Sequence, residues 1–164
     1  MLFVLNSCQD GKVRFRMNYD SFTTIEPTFG IPLPFDLITP EVETNSTSQF
    51  EANNTNKDRI HSIFLEDLTL SIESPSNEDF SFLNSIELFI SSTNHSEQKI
   101  ATKTNIPDNI GSVIVCDLID VDLQEFIKDD KIAIRVYTET DETINNQIEV
   151  KIASEFVVLA SVFK

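Results

Sequence analysis

The chain has 164 residues, 40% of them hydrophobic, with a formal charge of −15 and an isoelectric point near 4.3. This length suits one domain with its own core, and the hydrophobic content argues against disorder. The charge argues against a nucleic-acid partner, since binding phosphates requires clustered Lys and Arg.

The first residues contain the pattern of a bacterial lipobox. Leu5-Asn6-Ser7-Cys8 places an apolar residue three positions before a cysteine and a small residue directly before it. We therefore predict that Cys8 is acylated, that residues 1–8 are the remnant of a lipoprotein signal peptide, and that residues 9–164 form one domain. A signal peptide needs about 7–15 apolar residues before this point. Only residues 1–5 are apolar, so either the start lies inside a longer signal peptide or this segment is a terminal strand and Cys8 a small hydrophobic residue.

A strand with a basic face follows the lipobox. Val13 to Tyr19 alternate apolar and polar residues, which predicts a half-buried β-strand. Its polar positions include Lys12, Arg14 and Arg16. These cations either rest against lipid head groups beside the anchor or form the solvent face of an edge strand.

An apolar segment with two prolines comes next. Phe29, Ile31, Leu33 and Phe35 alternate with Gly30, Pro32 and Pro34. Proline cannot donate to a sheet ladder, so the segment is predicted to be an ordered loop or an edge strand. Its four large apolar side chains are the candidate surface for a protein partner.

Period-2 alternation continues through residues 68–72, 86–90, 132–136 and 148–162, with Asn, Asp, Ser and Pro in the turns. Ile63 and Leu65 have the opposite parity to Leu68, which predicts a β-bulge near Glu66-Asp67. The pattern predicts an all-β, antiparallel, immunoglobulin-like sandwich of about seven to nine strands. The side chains predicted to face inward are Phe15, Met17, Leu68, Leu70, Ile72, Ile86, Leu88, Ile134, Val136, Val150 and Val158.

One short helix is predicted, over residues 122–129. Asp122-Leu123-Gln124-Glu125 matches a capping box, with Asp122 as the N-cap. Leu123, Phe126 and Ile127 then share one face. Residues 39–47 alternate only weakly and receive no assignment.

No residue pattern indicates a catalytic, metal or cofactor site. Asp117, Asp120 and Asp122 lack the glycine and distal glutamate of an EF-hand loop. The two histidines lie in separate segments without zinc-ligand spacing. Asp129 and Asp130 are interpreted as solvated surface, and Cys116, inside an apolar run, as a core residue. A chain without tryptophan and with two tyrosines also argues against carbohydrate binding.

Several segments of the chain resemble small, mostly uncharacterised lipoproteins of Bacteroidota. The resemblance is carried by residues 5–8, 48–75, 79–83 with 86–88, and 121–127. It implies a single β-sandwich domain anchored by lipid in the bacterial outer membrane. Its motifs are structural, so no catalytic residue follows from it.

The predicted function is that of a non-enzymatic outer-membrane or cell-surface lipoprotein. It would act as an accessory or adhesion-like module bound to a larger envelope protein, and its N-terminal lipid would attach it to the membrane. Two alternatives remain open. One is a hydrolase with carboxylates assembled from separate strands. The other is a pilin-like subunit that exchanges its terminal strand, residues 156–163.

Overall fold

The computed structural model describes residues 11–28 and 32–163. Ten strands and two short helices lie within these residues. The strands are β1 Lys12–Ile25, β2 Phe35–Ile38, β3 Val42–Glu43, β4 Ile60–Ser74, β5 Leu83–Ser92, β6 Gln98–Lys103, β7 Val113–Val115, β8 Asp117–Leu118, β9 Lys131–Thr140 and β10 Ile148–Ser161. The helices are α1 Ser46–Ala52 and α2 Gln124–Ile127, with one 3₁₀ turn at Lys57–Arg59.

The strands form two antiparallel sheets, which confirms the predicted all-β sandwich. Sheet I has the order β1-β10-β4-β7. Sheet II has the order β2-β9-β5-β6-β8, and β3 extends the line of β2 along β9. Pro40, which lacks a donor for the ladder, lies between β2 and β3.

The order of the strands is that of a jelly roll. When the two-residue strands β3 and β8 are set aside, successive strands lie in opposite sheets, except that β5 and β6 are neighbours in sheet II. In the immunoglobulin sandwich, several consecutive strands are instead neighbours within one sheet. The layers therefore match the prediction, whereas the connections between them differ.

The core lies between the sheets and is built from the alternating apolar positions. Along β1, Val13, Phe15, Met17 and Tyr19 are buried while the residues between them are exposed. Ten of the eleven side chains predicted to face inward are buried; Ile72 is half-buried and packs against the core. Cys116 is also buried, as predicted.

The predicted bulge in β4 is present at Glu66. Asp67 pairs with Glu155 and Leu65 pairs with Phe156, so Glu66 has no partner in the ladder. The extra residue lets Leu65 and Leu68 both face the core although their spacing is odd. The Glu66 side chain reaches across β10 to Arg14 and Arg16 of β1.

The short helix α2 is confirmed in place but is shorter than residues 122–129. Asp122 precedes the N-cap residue, which is Leu123. One oxygen of the Asp122 carboxylate accepts hydrogen bonds from the backbone N–H of Gln124 (3.1 Å) and of Ile63 (3.0 Å). The carboxylate thus ties the helix to β4, while Glu125 lies beside Lys128 (3.6 Å) and does not close a capping box. None of the described helices is long and apolar enough to cross a membrane.

Candidate functional site

A cluster of polar groups surrounds Asp129, between α2 and β9. Ser92 ends β5, and a tight turn returns the chain so that the Ser92 N–H donates to the His95 carbonyl (3.1 Å). Ser92 Oγ donates to the Asp129 carboxylate (2.6 Å), as do the backbone and side-chain N–H groups of Asn94 (3.0 and 2.9 Å). His95 Nδ1 lies 3.0 Å from the same carboxylate. One aspartate therefore holds the whole turn.

The environment of Asp129 favours its ionised form. Burial on its own raises the pKa of this carboxyl, since its side chain is only 12% exposed. The hydrogen bonds from Ser92, Asn94 and His95 outweigh burial and hold the pKa far below its usual value. The interpretation of Asp129 as solvated surface is therefore corrected, whereas Asp130 is exposed as expected.

Ser92, His95 and Asp129 do not have the geometry of a catalytic triad. In a triad the serine donates to Nε2 of the histidine while Nδ1 faces the aspartate. Here Ser92 Oγ donates to Asp129 and lies 3.3 Å from Nδ1, on the same side of the ring as the carboxylate. The His95 ring packs against Phe126, with 5.6 Å between ring centroids. The cluster is thus arranged to fix a turn and not to activate a hydroxyl.

Replacing Asp129 with asparagine is expected to lower the free energy of unfolding by about 1–3 kcal/mol, because charge-assisted hydrogen bonds are lost. Because the folded state lowers the pKa of Asp129, its stabilisation is complete above about pH 5 and is lost progressively as the pH falls further. Urea unfolding at pH 7 and pH 3 should therefore show a smaller difference between wild type and Asp129→Asn at pH 3. The matched control is Asp130→Asn, on the exposed neighbour. An equal effect of the two substitutions would contradict the role given to Asp129.

Nearby carboxylates neutralise most of the positive charge on the predicted basic face of β1. The Arg14 guanidinium lies 2.8 Å from Glu66, and Arg16 lies 2.6 Å from Glu66 and 3.1 Å from Glu155. The hydrogen bond from Arg16 contributes most to lowering the pKa of Glu66. Lys12 is exposed and has no ion pair with a described residue. The bulge at Glu66 thus places a carboxylate between the two arginines.

A second arginine cluster lies on the outer face of sheet II. Arg135 donates to both oxygens of Glu97 (2.6 and 2.9 Å) and also pairs with Asp36. Its guanidinium lies 4.3 Å from the centroid of the Phe89 ring. In each arginine cluster, one guanidinium pairs with two carboxylates, and its hydrogen bond lowers the pKa of one of them, Glu66 in the first cluster and Glu97 in the second.

A hydrolase of the predicted kind needs a carboxyl that is protonated near neutral pH, so its pKa must be raised. Among the described residues, the carboxyls with resolved shifts all have lowered pKa values; they are Glu66, Asp79, Glu97 and Asp129. Within the same residues, no group of three or more His, Cys, Asp or Glu side chains is placed to hold a metal ion. Asp117 lies beside Lys103 (3.4 Å), and Asp122 is bonded to backbone N–H groups.

The predicted partner surface lies at an edge of sheet II. Phe35 begins β2 and packs against the core, while Leu33 before it is 61% exposed. Ile38, which the sequence did not single out, is 68% exposed on the same strand. Phe29 and Ile31 lie outside the described residues, as does the predicted lipid-attachment residue Cys8. β2 pairs only with β9, so its other edge lacks a described strand.

Comparison with known proteins identifies no relative: no family model matches the chain, and no curated protein matches it.

Proposed function

We propose that this chain is a lipid-anchored accessory module of the bacterial outer membrane that binds a larger envelope protein and has no catalytic role. The proposal puts the lipid on Cys8 and the partner at the β2 edge. Its support comes from the lipobox pattern, from the exposed apolar side chains at that edge, and from the length of β1, which begins four residues after Cys8 in the sequence.

The observation that carries the proposal is the distance between the two ends of sheet I. β1 begins at Lys12, paired with Ser161, and ends at Ile25, paired with Ile148. Fourteen strand residues span roughly 45 Å. Leu33 lies at the far end, where its carbonyl accepts a hydrogen bond from Thr140 (3.2 Å). An anchor near Lys12 would therefore hold the β2 edge away from the membrane, where a partner can reach it.

The β2 edge has the chemistry of a protein contact. Leu33 and Ile38 expose apolar surface beside backbone groups of β2 that have no described partner on one side. Pro32 and Pro34 precede the strand and limit its length, which reduces pairing with other copies of the chain. A partner that covers this edge would bury both side chains.

Charge introduced at the β2 edge should release the partner. We expect the double substitution Leu33→Asp and Ile38→Asp to reduce co-purification from detergent-solubilised membranes at least about tenfold, because each buried apolar side chain contributes roughly 1.5–3 kcal/mol. The matched control is Val113→Asp with Val115→Asp, which alters two exposed apolar residues at the β7 edge of sheet I. Recovery of only the isolated wild-type chain, or equal loss in both variants, would contradict the proposal.

The strand-exchange alternative is less well supported than the accessory module. β10 pairs with β1 along its full length and with β4 on its other side. Exchange of residues 156–163 would therefore require the pairing on both sides of β10 to break before the strand of another copy could replace it. The hydrolase alternative has no described carboxyl with a raised pKa to serve as its acid, as noted above, and no observation favours it.

A further inference from the structure

Ion pairs are distributed unevenly over this acidic protein. Of its twelve lysines and arginines, Lys164 lies outside the described residues. Eight have a carboxylate within 4.0 Å; they are Arg14, Arg16, Lys99, Lys103, Lys128, Lys131, Arg135 and Lys151. The remaining three, Lys12, Lys57 and Arg59, make no ion pair with a described residue.

These three cations lie at one end of sheet I, around the end of β10. Lys12 pairs with Ser161 on one side of that strand. On the other side, Arg59 donates to the carbonyl of Val162 (3.2 Å), and its guanidinium lies 4.9 Å from the centroid of the Phe163 ring. Lys57 begins the 3₁₀ turn that Arg59 ends. We call this group, with Phe163, the basal patch.

The basal patch combines positive charge with exposed apolar surface. Phe163 is 50% exposed. Leu159, four residues earlier near the end of β10, is also exposed. Asp58 lies between the two cations of the 3₁₀ turn. Glu51 lies in α1, and the carbonyl of Asn54, just after that helix, accepts a hydrogen bond from the N–H of Phe163. Asp122, bonded to Ile63 near the start of β4, is a third described carboxylate near this end, and none of the three is ion-paired with these cations. The whole chain has a charge of −15.

The negative charges elsewhere on the protein repel an anionic surface at the basal patch only weakly. At physiological salt the Debye length is about 8 Å, so charges farther along the roughly 45 Å of sheet I are screened. Aromatic side chains and cations together are typical of surfaces that meet the interface of a bilayer. A nucleic acid would require a broader basic surface than three residues.

The basal patch also lies next to Gly11, the first described residue. The Gly11 carbonyl accepts a hydrogen bond from the N–H of Val162 (2.9 Å). Cys8 is three residues earlier in the sequence, and three residues span at most about 11 Å. We propose that the basal patch lies against a lipid bilayer and binds its anionic phosphate head groups; this rests on the proposed anchor at Cys8. It assigns the contact to Lys12, Lys57 and Arg59, and not to the ion-paired Arg14 and Arg16.

The test couples the full chain to vesicles through Cys8 and a maleimide-bearing lipid. Cys116 does not compete, because burial raises the pKa of its thiol to about 12. Rates of lysine acetylation are then measured by mass spectrometry on vesicles of phosphatidylcholine alone and on vesicles that also contain phosphatidylglycerol. We expect Lys12 and Lys57 to react roughly fivefold more slowly on the anionic vesicles, and Lys103 and Lys151 to react equally on both.

Charge reversal supplies the matched comparison. Arg59→Glu should remove most of the protection of Lys12 and Lys57, whereas Lys151→Glu, which changes the net charge equally, should leave it intact. High salt should abolish the protection. Equal rates on the two kinds of vesicle would overturn the proposal, and so would equal protection by free inorganic phosphate. Because the coupling is chemical, this result is independent of whether cells acylate Cys8 and of the co-purification experiment above.

Discussion

Replacing Phe156 with alanine is expected to lower the free energy of unfolding by about 3–5 kcal/mol. Phe156 is fully buried in β10, and its ring meets that of Tyr19 edge to face, with 5.8 Å between centroids. The substitution removes this contact and leaves a cavity between the sheets. Such a loss is a large part of the about 5–15 kcal/mol that stabilises a typical domain. Urea unfolding followed by fluorescence or circular dichroism measures it.

The control for this prediction is Phe22→Ala, on the exposed face of β1. It should change stability by no more than about 0.5 kcal/mol. If Phe156→Ala does not fold, Phe156→Leu keeps most of the volume and is expected to cost about 1–2 kcal/mol. Similar effects at the buried and the exposed phenylalanine would contradict the described core.

The second prediction concerns the anchor. Replacing Cys8 with alanine is expected to move the protein from the membrane fraction to the soluble fraction without changing its fold. Each buried CH₂ of an acyl chain contributes about 0.8 kcal/mol, so a protein with two or more chains leaves a membrane at a negligible rate. Fractionation of cells from a host that processes lipoproteins measures the change, and thermal unfolding of the soluble variant verifies the fold.

Cys116→Ala is the control for the anchor, because Cys116 is buried in the core. That variant should remain in the membrane fraction. Intact-mass analysis of the wild-type protein is the direct test of the modification. An unmodified thiol at Cys8, with residues 1–7 still attached, would contradict both the predicted localisation and the envelope partner inferred from it.

The features that the sequence predicted correctly depend on local periodicity. Alternation identifies which side of a strand is buried, and the change of parity between Leu65 and Leu68 requires a bulge between them. Alternation does not identify which strand lies beside which. Lys12 pairs with Ser161, which is far away in the sequence, and no local pattern around either residue indicates this pairing. The connections of the jelly roll could therefore not be predicted from alternation.

Short elements and assembled clusters were missed for related reasons. α1 has seven mostly polar residues and a single large apolar side chain, Phe50, so it shows no helical period. Asp129 contacts residues more than thirty positions earlier in the chain. In the sequence it is one of two adjacent aspartates, and only the fold distinguishes it from Asp130.

The central position of β10 has a consequence for the order in which this protein can fold. β10 lies between β1 and β4 but follows the other nine strands in the sequence. During synthesis, sheet I therefore has no strand between β1 and β4 until the other nine described strands have been made. Contacts between such distant residues form slowly. A nascent chain of this design cannot complete sheet I until its last described strand, β10, has been made.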